Sequence, residues 1–249
     1  MDINEAWKST CKTLLGDEIG DLWNYERYLR RYVGGVEVKK SALSGKDVFI
    51  DARNIYDGAK FMSYYEMKEY EKRTRTLPLD VNDIKDLDSL VQAISERAYY
   101  GGNIVLGNSK EVSESSRCTD SSSVHGSYDI FNGKYIGYCC AVRFGEYIFG
   151  CNWVGETKFC ISGHETYKDV RCLEMMRFYW CSDCYYCSSV EACTNCMFSF
   201  NLRNKSYMVG NVQLQKDEYA KLKDKLVGEM RETLRAKKAL PSIIDIINQ

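Results

Sequence analysis

Residues 130–155 read IFNGKYIGYCCAVRFGEYIFGCNWVG, and a branched apolar side chain falls at every sixth place: Ile130, Ile136, Val142, Ile148 and Val154. Small residues stand halfway between them: Gly133, Cys139, Gly145 and Cys151. An α-helix repeats about every 3.6 residues and a flat strand every 2, so neither holds a period of six. A β-solenoid does, because each short side sends one residue inward before the chain turns a corner. Extended both ways, the step of six runs from Leu106 to Met208, and of its eighteen positions only Thr166 is polar. Most of the midway positions stay small, as at Ser109, Ser115, Ser121 and Ser127, with Asp169 and Met175 as exceptions. Large and small inward residues in alternation fill a narrow interior without voids.

The segments IFNGKYIG at 130–137 and IFGCNWVG at 148–155 are near copies displaced by eighteen, and Phe131, Phe149, Tyr167 and Tyr185 continue that displacement. Three sides of six predict a triangular coil of eighteen residues, with five or six coils in the repeat. The whole chain is then mainly β: an N-terminal α+β segment at 1–100, a parallel β-solenoid at 103–212, and a capping helix with an apolar tail at 213–249.

Eleven of the twelve cysteines lie between Cys118 and Cys196, and ten of these share the inward phase; Cys140 is out of step. Cysteine thus takes places held elsewhere by Ile, Val, Gly and Ser, and a free thiol packs as a small hydrophobe. Pairing of stacked thiols across coils is the outcome in an oxidising environment. A metal site is the alternative. Cys181, Cys184, Cys187, Cys193 and Cys196 have C-x2-C spacings used by zinc and iron–sulfur proteins. Against that stand the lack of glycine between Cys181 and Cys196 and the bulk of Tyr185 and Tyr186. The expected cofactor is therefore none, with Zn or Fe–S as the alternative.

The formal net charge of −1 gives no global pull toward nucleic acid or anionic membrane. No apolar run approaches the roughly 18 residues of a membrane span, and the polar start MDINEAWKSTCKTLLG does not read as a signal peptide. A cytoplasmic protein is expected. Before the repeat, Asp2 is placed to cap a first helix with Ala6, Trp7, Leu14 and Leu15 on its apolar face. DLWNYERYLRRYV predicts a second, and the two alternating runs around Ser44-Gly45 predict a hairpin. A third helix follows, with Ile84, Leu87, Leu90, Val91 and Ile94 along one face. After the repeat, Tyr219, Leu222, Leu226, Met230 and Leu234 predict a helix at about 216–238 that covers the open end of the solenoid. Pro241 stops it, and the apolar SIIDII follows.

Function is less legible. Triangular coils of eighteen are the shape of hexapeptide-repeat acyltransferases, but that family wants a small residue two places before each aliphatic. Here Tyr128, Lys134, Glu146, Asn152, Lys158 and His164 stand there. No GxSxG, Walker, HExxH or GxGxxG pattern occurs. Of the two histidines, His125 and His164, the second is followed by Glu165, which leaves an acid–base site near His164/Glu165 as an enzymatic alternative. The favoured expectation is a non-enzymatic scaffold that binds another macromolecule through a solenoid face or the C-terminal tail. Its predicted partner surface comprises the aromatics Phe149, Trp153, Tyr167 and Tyr185 with the basic residues Arg203, Lys205, Arg235, Lys237 and Lys238. A protein or protein assembly is the expected partner, an RNA-containing complex the second choice.

Four stretches, SALSGK at 41–46, the cysteine run to Cys196, FNLRNKSY at 200–207 and KDEY at 216–219, together carry a resemblance. The chain resembles a family of uncharacterised cysteine-rich repeat proteins predicted from genomes of uncultivated archaea, candidate-phyla bacteria and some large viruses. Relatives often carry a cysteine where Ser41 stands, so any zinc knuckle there lacks a ligand in this chain. The resemblance implies the repeat architecture and no established activity.

Overall fold

The computed structural model describes residues 1–52, 58–76, 82, 84–95, 97–143, 145–155, 157–163 and 169–248. Between Val105 and Val209 the chain winds into a parallel β-solenoid of about eight coils. Its register sets the coil length. Ser116 pairs with Tyr128, Lys134 with Glu146, Gly137 with Phe149, Leu173 with Tyr185 and Cys196 with Met208. Each displacement is twelve, not the eighteen expected, so a coil is two steps of six rather than three.

The backbone explains twelve. Every third described residue from Glu111 to Gly150, and again from Trp180 to Gly210, has a positive φ, mostly near 50–60°. A left-handed residue after each extended pair bends the chain sharply. Four such bends close a coil in twelve residues. Asp, Asn, Ser and Gly fill some bends, as at Asp120, Ser123, Gly126 and Asn132, but so do Tyr135, Tyr138 and Phe198. A non-glycine residue there costs on the order of 1–3 kcal/mol, so the surrounding ladder must hold it in place.

Four inward columns result. One carries Val124, Ile136, Ile148, Cys160, Cys172, Cys184 and Cys196, all essentially inaccessible; another carries Cys118, Ile130, Val142 and Val190. The two small columns bind the coils together by side chain as well as by backbone. Ser127 Oγ donates to the His125 carbonyl at 2.8 Å and accepts from Cys139 N, one coil on, at 3.0 Å. Ser109, Ser115 and Ser121 accept in the same way from Ser121 N, Ser127 N and Gly133 N. Further along, Cys193 N donates to Cys181 Sγ at 3.4 Å. The thiol thus takes over the hydroxyl's place in the ladder.

Helix α1 (Ile3–Leu15) begins at a capping box between Asp2 and Glu5 and ends at left-handed Gly16. Its face of Ile3, Ala6, Trp7, Cys11, Leu14 and Leu15 is buried in one cluster with Phe149, Ile161, Leu173, Tyr185 and Met197, outward residues twelve apart on one side of the solenoid. A short 3-10 turn at Leu22–Tyr25 leads into α2 (Glu26–Leu29). Here Gly150 is required: a Cβ would lie 2.5 Å from the Leu29 carbonyl oxygen, at a φ of +83°. Tyr135, Tyr147 and Phe159 stack along the same side with centroids 5.5 and 5.2 Å apart.

The hairpin β1 (Val36–Lys40) and β2 (Asp47–Asp51) forms as expected around Ser44-Gly45. Strand β3 (Lys60–Ser63) precedes α3 (Met67–Arg75) and α4 (Leu87–Ser95), and pairs in parallel with β4 (Tyr99–Gly102). Val48, Ile50 and Phe61 make a small separate core, joined to the first coil through Asn103, whose side chain accepts from Phe49 N at 2.7 Å. The predicted apolar face of α4 is left open at Leu87, Val91 and Ile94. At the far end, Ser206–Val209 pairs antiparallel with Val212–Gln213 and so blunts the last edge. Helix α5 (Lys216–Lys237) then packs Tyr219 against Tyr207 and runs along α1, and α6 (Ile243–Ile247) buries Ile243.

Candidate functional site

Helices α1, α2, α5 and α6 pack on the side of Phe149, Leu173 and Tyr185, and among the described residues several away from them are open to solvent. Phe131, Val170, Tyr179 and Trp180 are exposed, Trp180 most, at 63%. Phe131 and Tyr179 lie in one column four coils apart, about 19 Å at the usual strand spacing. Charged residues one coil apart neutralise one another: Arg117–Asp129 at 2.8 Å, Arg171–Asp183 at 3.8 Å and Arg203–Glu191 at 2.7 Å.

The predicted partner residues scatter. Phe149 (0% exposed) and Tyr185 (3%) lie beneath the helices, so they are core residues and not surface. Tyr167 lies outside the described residues, as do His164 and Glu165 of the enzymatic alternative; Trp153 sits in the strand Phe149–Val154, its side chain likewise outside the description. Arg203 and Lys205 are exposed, Arg203 in its ion pair with Glu191. Arg235 is no free basic tip: it donates to the Glu18 carbonyl and pairs with Asp17 at 2.6 Å. Lys238 ends α5 in the left-handed conformation, its Nζ 3.4 Å from Tyr25 Oη; Lys237 is exposed. The apolar tail docks on its own chain, which removes it as a free partner segment.

That docking centres on Glu174, a carboxylate 1% exposed. Oε1 accepts from Ser242 Oγ at 2.6 Å and from Ile243 N at 3.2 Å, and Tyr28 Oη is 3.5 Å from Oε2. Burial raises its pKa, against the lowering effect of these donors. Asp245 in α6 pairs with Arg31 and Tyr32.

Cys181, Cys184 and Cys187 fall on one coil and Cys193 and Cys196 on the next, all buried and unpaired by disulfide. Cys181 Sγ donates to the Tyr179 carbonyl and Cys184 Sγ to that of Ser182, at 3.4 and 3.3 Å. Contacts with the thiols of Cys181, Cys187 and Cys196 keep Cys184 protonated, while the bond with Cys184 favours the thiolate at Cys196. Among the described residues, no group of three or more His, Cys, Asp or Glu is arranged to hold a metal ion.

Sequence reasoning missed a cleft of about 180 Å³ at the start of α1, walled by Ile3, Trp23, Glu111 and Ser123. Ser113 and His125, paired residues on adjacent coils, meet there with Ser113 Oγ 2.9 Å from His125 Nδ1. Glu114 Oε2 lies 3.9 Å from the other ring nitrogen. Trp23 and Tyr138 meet the imidazole edge-on at centroid distances of 4.9 and 5.6 Å. Burial pulls the His125 pKa below 6.5, against Glu114 and Glu26, which raise it. The signal in the sequence is the separation of twelve between Ser113 and His125, which carries no meaning in a coil of eighteen.

Compared with protein-family models, curated proteins and solved structures, the chain matches none. Among the described residues no helix is long and apolar enough to cross a membrane.

Proposed function

We propose that the protein is a scaffold that binds another protein on the open side of its solenoid. The observation that carries this reading is the uneven placing of aromatics. Tyr135, Tyr147, Phe149, Tyr185, Tyr186 and Phe198 pack against the helices or beneath them, whereas Phe131, Tyr179 and Trp180 are exposed on a hydrogen-bonded ladder. Exposed aromatics on a rigid extended surface mark the centre of a protein interface. The coil-to-coil ion pairs argue for a protein over RNA, because they neutralise Arg117 and Arg203 among the described residues of that ladder.

The test places a photo-crosslinking amino acid at Tyr179 and, as a control, at Lys223 on α5. Exposure to a native extract of the source should give a discrete protein adduct from position 179 only. The double variant Tyr179→Ser/Trp180→Ser should unfold like wild type and lose the partner. Equal adducts from both positions, or full capture by the double variant, would refute the reading.

A further inference from the structure

We propose that Ser113, His125 and Glu114 form a nucleophilic site that accepts the acyl group of small uncharged or cationic esters. This is independent of the scaffold surface, which lies elsewhere on the coils. The solenoid register sets Ser113 directly beside His125 on the next coil. With Ser113 Oγ 2.9 Å from Nδ1, the hydroxyl donates when the ring proton sits on Nε2. Glu114, 3.9 Å from Nε2, favours that tautomer. The order nucleophile, base, orienting carboxylate is the one acyl transfer requires.

Three features prepare the site. Trp23 and Tyr138 fix the imidazole plane from two sides. Burial, with Arg30 nearby, lowers the imidazole's pKa against Glu114 and Glu26 and so favours the neutral ring that can take a proton. The first turn of α1 closes a third side of the cleft, with Ile3 and the carboxylate of Asp2, which caps the Glu5 amide, on the wall. Asp2 and Glu111 on the wall, with Glu114 beside the imidazole, repel anionic substrates.

The chemistry balances without a further reagent. Ser113 Oγ forms a bond to the acyl carbon as its proton passes to His125 Nδ1. The ester C–O bond then breaks, and the alcohol leaves with that proton. Water, deprotonated by the same nitrogen, attacks the acyl-serine; the bond from the acyl carbon to Ser113 Oγ breaks, the carboxylic acid leaves, and the proton on Nδ1 returns to Oγ.

The full chain is treated with a dialkyl fluorophosphate, and adducts are located by peptide mapping. One adduct is expected, on Ser113, formed on the order of 10²-fold faster than in His125→Gln. The labelling rate should rise with pH through an inflection below 6.5, which Glu114→Gln moves lower still while slowing the reaction. Turnover of p-nitrophenyl acetate should follow the same order of variants. Thermal unfolding of Ser113→Ala and His125→Gln shows that each variant is folded. Labelling of Ser113 at an equal rate in folded His125→Gln, an adduct confined to other residues, or a flat pH profile would overturn the proposal.

Discussion

Removing one oxygen from the solenoid interior, by Ser127→Ala, tests whether the small columns hold the coils together. Ser127 is fully buried, and its hydroxyl both donates to the His125 carbonyl and accepts from Cys139 N. Alanine keeps the backbone and leaves a void no larger than the lost atom, so packing contributes little. The donated bond is worth about 1 kcal/mol net. The larger effect is on Cys139, which is 1% exposed. Its amide would face the interior without an acceptor, at a cost of about 1–3 kcal/mol. A loss of about 2–4 kcal/mol follows, a fall in Tm of about 4–16 °C for a chain of this size. Ser127→Cys should lose far less, since thiols already serve in this ladder further along. The assay is urea unfolding followed by tyrosine fluorescence, with hydrogen exchange at the Cys139 amide to show the effect is local. If Ser127→Ala lies within about 0.5 kcal/mol of wild type, or the Cys139 amide stays as protected as before, the side-chain ladder does not bind the coils.

Gly145→Ala should destabilise by about 1–3 kcal/mol, because its Cβ would lie 2.2 Å from Ile148 Cδ1; adding Ile148→Val, which removes that methyl, should restore part of the loss in a denaturant titration. Native protein treated with a thiol reagent should titrate Cys140 alone promptly, since the other eleven thiols are buried and Cys118 is pushed up to about 12, and all twelve on unfolding; prompt reaction of several would contradict the interior placement. Glu174 has a raised pKa, so its contribution is full below the unfolded carboxyl's value and is lost as pH rises through the folded one; as pH is raised from the unfolded carboxyl's value wild type should lose stability relative to Glu174→Gln, and an unchanged gap in Tm would exclude this.

Six divides both twelve and eighteen. Every position that points inward in one coil length therefore points inward in the other, which is why the solenoid and its core were readable: Val124, Ile136, Ile148 and the ten in-phase cysteines are all buried. Outward residues have no such protection. A shift of eighteen is one and a half coils of twelve, and it carries a residue to the opposite side. Phe131 and Phe149 look like copies in the sequence, yet Phe131 is 49% exposed and Phe149 is fully buried. Tyr185 fails as a surface residue for a related reason: it lies three coils from Phe149, in the column beneath α1. The helices and the hairpin were legible because caps, amphipathic spacing and turn residues are local; which side of the solenoid they cover depends on the coil.

The twelve-residue period is written in the polar residues, not in the aromatic ones. Arg117 with Asp129, Arg171 with Asp183 and Glu191 with Arg203 are opposite charges at a separation of one coil. Ser109 with Ser121, Ser115 with Ser127, and Ser113 with His125 are hydrogen-bond partners at the same separation. Parallel coils about 4.8 Å apart bring such pairs together, and like charges in those places would repel. Apolar residues tolerate many neighbours, so their spacing constrains the interior and little else. Charges and hydroxyls require particular partners, and their spacing therefore fixes which coil lies against which. The cleft at His125 follows from that register alone: with Ser113 one coil below it, the imidazole has a hydroxyl within reach, and in coils of eighteen Gly107 would have stood in that place.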